Sequence, residues 1–306
     1  MPGALIETRS LSKVYPAIPA VVDFSWSVEP GSIAALVGPN GAGKTTLLKM
    51  LLGMTRPTEG SATILGYDVV TQSVEVRREV AMVPEDKLLY DDMKVSHFLR
   101  FFGSFFPTWD QAVANQLLAA WDVPSDRTIK ALSKGMRAKL ALGAALSRNP
   151  RVLLLDEPTI DLDPAGVEQV LSWISGWVAE EDRCAVVATH RLEEVERICD
   201  QISFLRGGRA IFSGELDDLK SDWRSLTVYG QVPAQEIEGW EGVRRVSQRG
   251  DVAAIIVERD AEEVRRRLVG LGLGTVEAHP MSLREIYLAV TEFKRTIPND
   301  ALEGVD

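Results

Sequence analysis

Ile33-Ala34-Ala35-Leu36-Val37-Gly38-Pro39-Asn40-Gly41-Ala42-Gly43-Lys44-Thr45 decides the fold class. The first five of these residues form a short apolar run, the pattern of a strand buried on both faces. Residues 38–45 then follow the spacing G-x-x-x-x-G-K-T, and residues 45–52 read as a helix stopped by Gly53. A strand, a glycine-rich turn and a helix in that order let backbone N–H groups turn inward around phosphate oxygens. The helix N-terminus adds the positive end of its dipole. In that frame Lys44 is placed to reach β- and γ-phosphates, and the Thr45 hydroxyl to ligate Mg²⁺.

The second half of such a site lies far along the chain. Val152-Leu153-Leu154-Leu155 is an apolar run that delivers Asp156 and Glu157 at its C-terminal end. Open α/β sheets bind their ligands at that end of their strands. Asp156 is placed to hold Mg²⁺ through water, and Glu157 to polarise a water for attack on the γ-phosphate. Further strands are expected at residues 61–66, 80–83 and 185–189, and a hairpin is expected to turn at Gly207-Gly208. Strands separated by helical patterns argue for an α/β core.

Between Lys87 and Arg148 strand signals vanish. Phe98, Phe101, Phe102, Phe105 and Phe106 fall on one face of an expected helix that Pro107 ends. Residues 112–121 and 135–146 read as two more helices, so a helical insert is expected at about 87–148. Near residue 220 the character changes. Strand-like runs at 226–229 and 252–257 precede helix-like runs at 262–269 and 282–293, which predicts a small α+β appendage. The expected division is 1–220 and 221–306. Arg265-Arg266-Arg267 reads as a solvated helix face.

Composition narrows the function classes. The chain has 306 residues, 45% hydrophobic and 25% charged, which excludes an intrinsically disordered chain. Its net charge of −10 argues against global attraction to nucleic acid, and no nucleic-acid partner is expected. Two cysteines, Cys184 and Cys199, make neither a metal cluster nor a disulfide framework and suit a reducing compartment. No apolar stretch approaches the ~20 residues that span a bilayer. The first residues lack the basic and apolar regions of a signal peptide. The expectation is a soluble, cytosolic chain whose membrane role, if it has one, comes through a partner.

Residues 5 to about 215 resemble the ATP-binding subunit of an ABC transporter. Leu132-Ser133-Lys134-Gly135-Met136 stands where that family carries its signature, upstream of the Asp-Glu strand and opening a helix. The resemblance implies a P-loop NTPase sheet core with an antiparallel β subdomain and a helical insert. It implies that ATP is held by Gly38, Pro39, Asn40, Gly41, Ala42, Gly43, Lys44, Thr45 and Thr46, with the Tyr15 ring on adenine. It implies Ser133 and Gly135 on the ATP of a partner chain, and Ile160-Asp161-Leu162-Asp163 at the dimer interface. Lys44, Glu157 and His190 would be catalytic, His190 as the switch histidine at the γ-phosphate.

Three positions depart from the family pattern: Glu85 stands where glutamine is usual, Lys134 where glycine is usual, and Met136 where glutamine is usual. A carboxylate at residue 85 can ligate Mg²⁺, so the expected metal set is Thr45, Asp156 and Glu85. The segment after residue 220 resembles the extension of ABC-2-type export ATPases. The function implied is an ATPase at the cytoplasmic face of the membrane. It would pair with a second ATPase subunit, as homodimer or heterodimer, and drive a separate integral membrane permease, in the direction of export. The phenylalanine face has two readings: the core of the helical insert, or, as the resemblance implies, a groove that receives the permease and is lined by some of these rings with Trp109. Alternatives are an ABC-type ATPase without transport and a nucleotide-binding regulator.

Overall fold

The computed structural model describes residues 3–16, 18–180, 182–273 and 275–293. The chain divides into two compact units between Ser213 and Gly214. The first unit opens with β1 (Ile6–Tyr15), β2 (Ile18–Val28), β3 (Ile33–Val37), α1 (Lys44–Leu51), β4 (Glu59–Ile64) and β5 (Tyr67–Asp68). It continues through α2 (Ser73–Glu79), β6 (Val80–Val83), α3 (Val95–Gly103), α4 (Gln111–Ala120) and α5 (Lys134–Leu146). It closes with β7 (Val152–Asp156), α6 (Pro164–Val178), β8 (Cys184–Thr189), α7 (Leu192–Ile198), β9 (Gln201–Arg206) and β10 (Arg209–Glu215).

Six strands form the main sheet in the order β10-β9-β3-β8-β7-β6. From β9 to β6 the neighbours are parallel. Every residue of β3, β7 and β8 is buried, as expected of parallel strands covered on both faces. Parallel neighbours point their C-terminal ends the same way. The loops after β3, β7, β8 and β6 therefore gather at one edge, although their residues run from 38 to 190.

A second sheet, β2-β1-β4-β5, is antiparallel. Its strands are irregular: register shifts in β1 fall between Thr8 and Leu11, Leu11 and Lys13, and Lys13 and Val14. Ser10 and Asp23 take positive φ of 45° and 50° there. Each bulge shifts the side-chain alternation by one residue, which is why no strand is legible at residues 6–28. Leu47, Leu48, Met50 and Leu51 of α1 are fully buried in one apolar cluster with Phe24 and Val28 of β2 and Leu154 of β7.

Between β6 and β7 the described residues hold helices and a single isolated bridge, Lys94 with Thr128. The phenylalanine helix is shorter than its periodicity predicts. It ends at Gly103, and Phe105 and Phe106 lie in the turn beyond it. The cause is packing: a Cβ on Gly103 would stand 2.6 Å from the Trp109 indole, so the chain folds back there. The rings still make a continuous ladder, with Phe98 stacked on Phe102 at 5.6 Å and Phe101 edge-on to Phe105 at 5.1 Å. Phe98 is buried, whereas Phe101 and Phe105 are exposed.

The second unit is built from α8 (Leu216–Asp222), β11 (Arg224–Tyr229), α9 (Ala234–Glu238), β12 (Val243–Arg249) and β13 (Val252–Val257). It ends with α10 (Ala261–Gly270), β14 (Val276–Pro280) and α11 (Leu283–Phe293). Its antiparallel sheet, β12-β13-β11-β14, buries Leu226, Val228, Ile255, Val264 and Leu268 in its own core. A capping box starts α11. Ser282 N–H and Oγ–H donate to Glu285 Oε2 at 2.8 and 2.7 Å, and Glu285 N–H returns to Ser282 Oγ at 3.3 Å. Arg265 and Arg266 pair with Glu262 and Glu263 on the face of α10, while the Arg267 guanidinium lies 3.9 Å over the Trp240 ring.

Both cysteines are free and buried, and burial pushes the Cys184 thiol up to about 12. Among the described residues no helix is long and apolar enough to cross a membrane.

The interior strand β7 generates a stability prediction. Leu154 is fully buried in β7, so Leu154→Ala removes packed methyl groups and leaves a cavity, at a cost of about 2–5 kcal/mol. Val74 is half-exposed, and Val74→Ala should stay within about 0.5 kcal/mol of the parent. Urea unfolding of the two variants checks this. A Leu154→Ala midpoint equal to the parent's would contradict the buried position of β7.

Candidate active site

The loop between β3 and α1 curls around its own lysine. Lys44 Nζ is buried and donates to the carbonyl oxygens of Gly38 and Pro39 at 2.7 and 3.3 Å. Gly43 has φ of 105°, and a Cβ there would stand 2.3 Å from the Ala20 carbonyl oxygen. Only glycine satisfies both constraints. The turn therefore brings Ile18, Pro19 and Ala20 of β2 beside the loop. Together they wall a cavity of about 220 Å³ lined by residues 40–46, Glu85, Asp156 and Glu157.

The acids at the end of β7 meet this loop directly. The Thr45 hydroxyl donates to Asp156 Oδ2 at 2.6 Å. Asp156 is 1% exposed, and burial holds its carboxyl above the usual range against the lowering effect of the Thr45 hydrogen bond. A buried carboxylate oxygen touching a hydroxyl oxygen, with the carboxylate's charge destabilised by its own burial, is a donor set that suits a hard divalent cation.

Glu157 has the more constrained backbone. Its φ is 46°, in the left-handed region, and its N–H donates to the Ala188 carbonyl at 2.8 Å. Strain of this kind persists where surrounding contacts over-determine it. The carboxylate is buried and held at both oxygens. Thr189 Oγ1–H donates to Oε2 at 3.1 Å, and His190 Nδ1 lies 2.8 Å from Oε1. Lys44 Nζ stands 3.8 Å from Oε1. Cation, acid and imidazole thus form one contiguous group supplied by the start of α1 and the loops after β7 and β8.

Other residues singled out in the sequence lie elsewhere. Tyr15 ends β1 outside the cavity, 40% exposed, with Lys13 Nζ 5.2 Å from its ring centre. It pairs with Ile18, which does line the cavity. Ser133 and Gly135 are at the start of α5, also outside it. Ser133 caps that helix by accepting from Met136 N–H at 3.2 Å, which leaves its own hydroxyl proton free to donate. A Cβ on Gly135 would stand 3.0 Å from the Asp161 carbonyl oxygen, so glycine lets the helix start press against that loop.

Thr189 belongs to the site and was not anticipated. It is a fully buried polar residue that closes an otherwise apolar strand, and that placement just before His190 is its only sequence signal.

Comparison with known proteins agrees with this geometry. Residues 21–160 match the family described as ABC transporter. The Nod factor export ATP-binding protein I of Rhizobium etli is 32% identical over 296 residues, spanning 94% of this chain and 93% of that protein. The ABC transporter ATP-binding protein YtrB of Bacillus subtilis is 26% identical over 291 residues, 95% of this chain and 99% of that protein. A solved ATP-binding subunit of an ABC transporter superposes with a TM-score of 0.65 at 29% identity, covering 71% of this chain and 92% of that one. A dimeric cassette in a post-hydrolysis state, bound to ADP and Pi, shares the fold at 20% identity with a TM-score of 0.63. With a phosphate loop, an acidic strand end and relatives aligned along nearly its whole length, the chain belongs to the ABC transporter family as an ATP-binding, ATP-hydrolysing subunit.

Proposed function

We propose that this chain works as one half of a head-to-tail ATPase pair that drives a separate membrane permease, in the direction of export. The observation that carries the reading is the single cavity in which residues 40–46, Asp156, Glu157 and Glu85 converge at the C-terminal ends of parallel strands.

In this reading the triphosphate of ATP lies in the loop of residues 38–46, surrounded by backbone N–H groups. Lys44 exchanges its contacts with the Gly38 and Pro39 carbonyls for phosphate oxygens. Thr45, Asp156 and Glu85 would hold Mg²⁺, which neutralises charge on the phosphates when bound. Glu157 orients the attacking water. Thr189 and His190 fix its carboxylate in place, so little reorganisation is needed at the moment of reaction. His190 Nδ1 points at Glu157, and its half-exposed ring is positioned to sense the γ-phosphate that Glu157 faces. Tyr15, exposed beside the cavity wall, offers a ring face to adenine.

Ser133 and Gly135 serve the nucleotide of the partner subunit, to which Ser133 donates its free hydroxyl proton. The aromatic ladder of the helical insert supports a permease contact. Tyr90, Phe101 and Phe105 are exposed neighbours, and Leu88 is 93% exposed. Contiguous exposed apolar surface of this kind marks an interface. The chain then sits at the cytoplasmic face of the membrane. Export is supported by the name of its relative from Rhizobium etli.

Two outcomes are expected. Glu157→Gln keeps the size and hydrogen bonds of the side chain but loses the charge that orients water. It should bind ATP like the parent and turn over about 10²–10⁴-fold more slowly, as steady-state phosphate release would report. Undiminished turnover would remove Glu157 from its role. Ser133→Ala should lower turnover by about 10²-fold while leaving ATP affinity within about threefold, because the group it loses acts on the partner's nucleotide. Mixing Ser133→Ala chains with Lys44→Ala chains should restore part of the activity, since heterodimers keep one intact composite site. A mixture no more active than its components would contradict shared sites.

A further inference from the structure

Glu85 lines two cavities at once. One is the cavity of the phosphate loop. The other is a cleft of about 310 Å³ that Glu85 shares with Asp86, Lys87, Lys134, Arg137 and Asp161. Three of the cleft's six charged residues, Lys87, Arg137 and Asp161, already have partners. Lys87 Nζ lies 3.8 Å from Asp161 Oδ2 and donates to the Glu85 backbone carbonyl at 3.1 Å. Arg137 Nη2 lies 2.6 Å from Asp91 Oδ1. Among the described residues, the side chains of Glu85, Asp86 and Lys134 make no hydrogen bond or ion pair.

Two of these charges are poorly placed when taken alone. Lys134 is the first residue of α5, where the positive end of the helix dipole opposes a cation. Glu85 puts a carboxylate on the wall of a cavity built for a triphosphate, where it repels the ligand. The two unfavourable charges are of opposite sign and face one cleft. Asp86 shares that cleft but not the phosphate-loop cavity, so only Glu85 connects the two spaces.

We propose that Lys134 is the counter-ion of Glu85, a positioning residue that sets how strongly the Glu85 carboxylate engages the cation bound with ATP. With Lys134 present, part of the Glu85 charge is neutralised across the cleft and the nucleotide is less repelled. Metal drawn to the phosphate loop competes with Lys134 for the same carboxylate. The start of α5 is thereby linked electrostatically to the metal state of the cavity. This inference rests on the reading of Glu85 as a residue that faces the metal.

The test is a binding cycle in the slowly hydrolysing Glu157→Gln chain. Calorimetry gives the ATP dissociation constant in EDTA and in saturating Mg²⁺, and the ratio of the two reports metal linkage. Lys134→Gln should raise that ratio by about two- to fivefold, the scale of an interaction between exposed opposite charges, and Lys134→Arg should restore the parent value. In a Glu85→Gln background Lys134→Gln should leave the ratio unchanged. In an Asp86→Asn background its full effect should persist. The same shift with and without Glu85, or no shift at all, would overturn the pairing while leaving Glu85 as a metal-facing residue. A ratio that Glu85→Gln itself does not alter would overturn the reading of Glu85 and the pairing with it.

Discussion

The hydrogen bond from the Thr45 hydroxyl to Asp156 joins residues 111 positions apart and locks the phosphate loop to the acidic end of β7. It forms because β3 and β7 are both parallel neighbours of β8, which puts their C-terminal ends in register. Everything else at the site hangs from that register. β8 carries Thr189 and His190 to the Glu157 carboxylate, and β6 leads Glu85 to the cavity wall. The sheet order therefore does for this site what a local motif cannot: it assembles one site from four loops.

The arrangement is costly to the fold. Asp156 is buried deeply enough to hold its proton more tightly than a free carboxyl, and Glu157 sits in the left-handed region. Lys44 is buried and donates to the carbonyl oxygens of its own loop. The buried lysine suits a ligand with negative oxygens, and the buried carboxylate an accompanying cation. The apolar cluster around α1 offsets the cost, since the helix that follows the loop buries four of its side chains there.

Much of this was legible in the sequence where the relevant residues are consecutive. Residues 38–45 specify a strand-turn-helix cradle by spacing alone, and the run ending in Asp156-Glu157 is a buried strand that must emerge at an acid pair. Legibility failed where three-dimensional packing overrides a local period. The bulges at Ser10 and Asp23 hide β1 and β2. The Trp109 indole against Gly103 stops α3 before Phe105, so the helical period outlasts the helix. Thr189 has no motif, because its role comes from the neighbour that the sheet gives it. The electrostatic relation of Lys134 to Glu85 could not be read either: the two share a cleft only through the folding of the helical insert.

The central claim is that the ends of β3 and β7 together form one site for ATP and its metal ion. A crystal structure of the chain with a non-hydrolysable ATP analogue and Mg²⁺ tests it most directly. The account predicts a triphosphate within the loop of residues 38–46, Lys44 Nζ turned from the Gly38 carbonyl to phosphate oxygen, and a metal ion beside Thr45 and Asp156. A nucleotide bound elsewhere, or one bound here with the Lys44–Gly38 and Thr45–Asp156 contacts undisturbed and no metal between loop and strand, would contradict it.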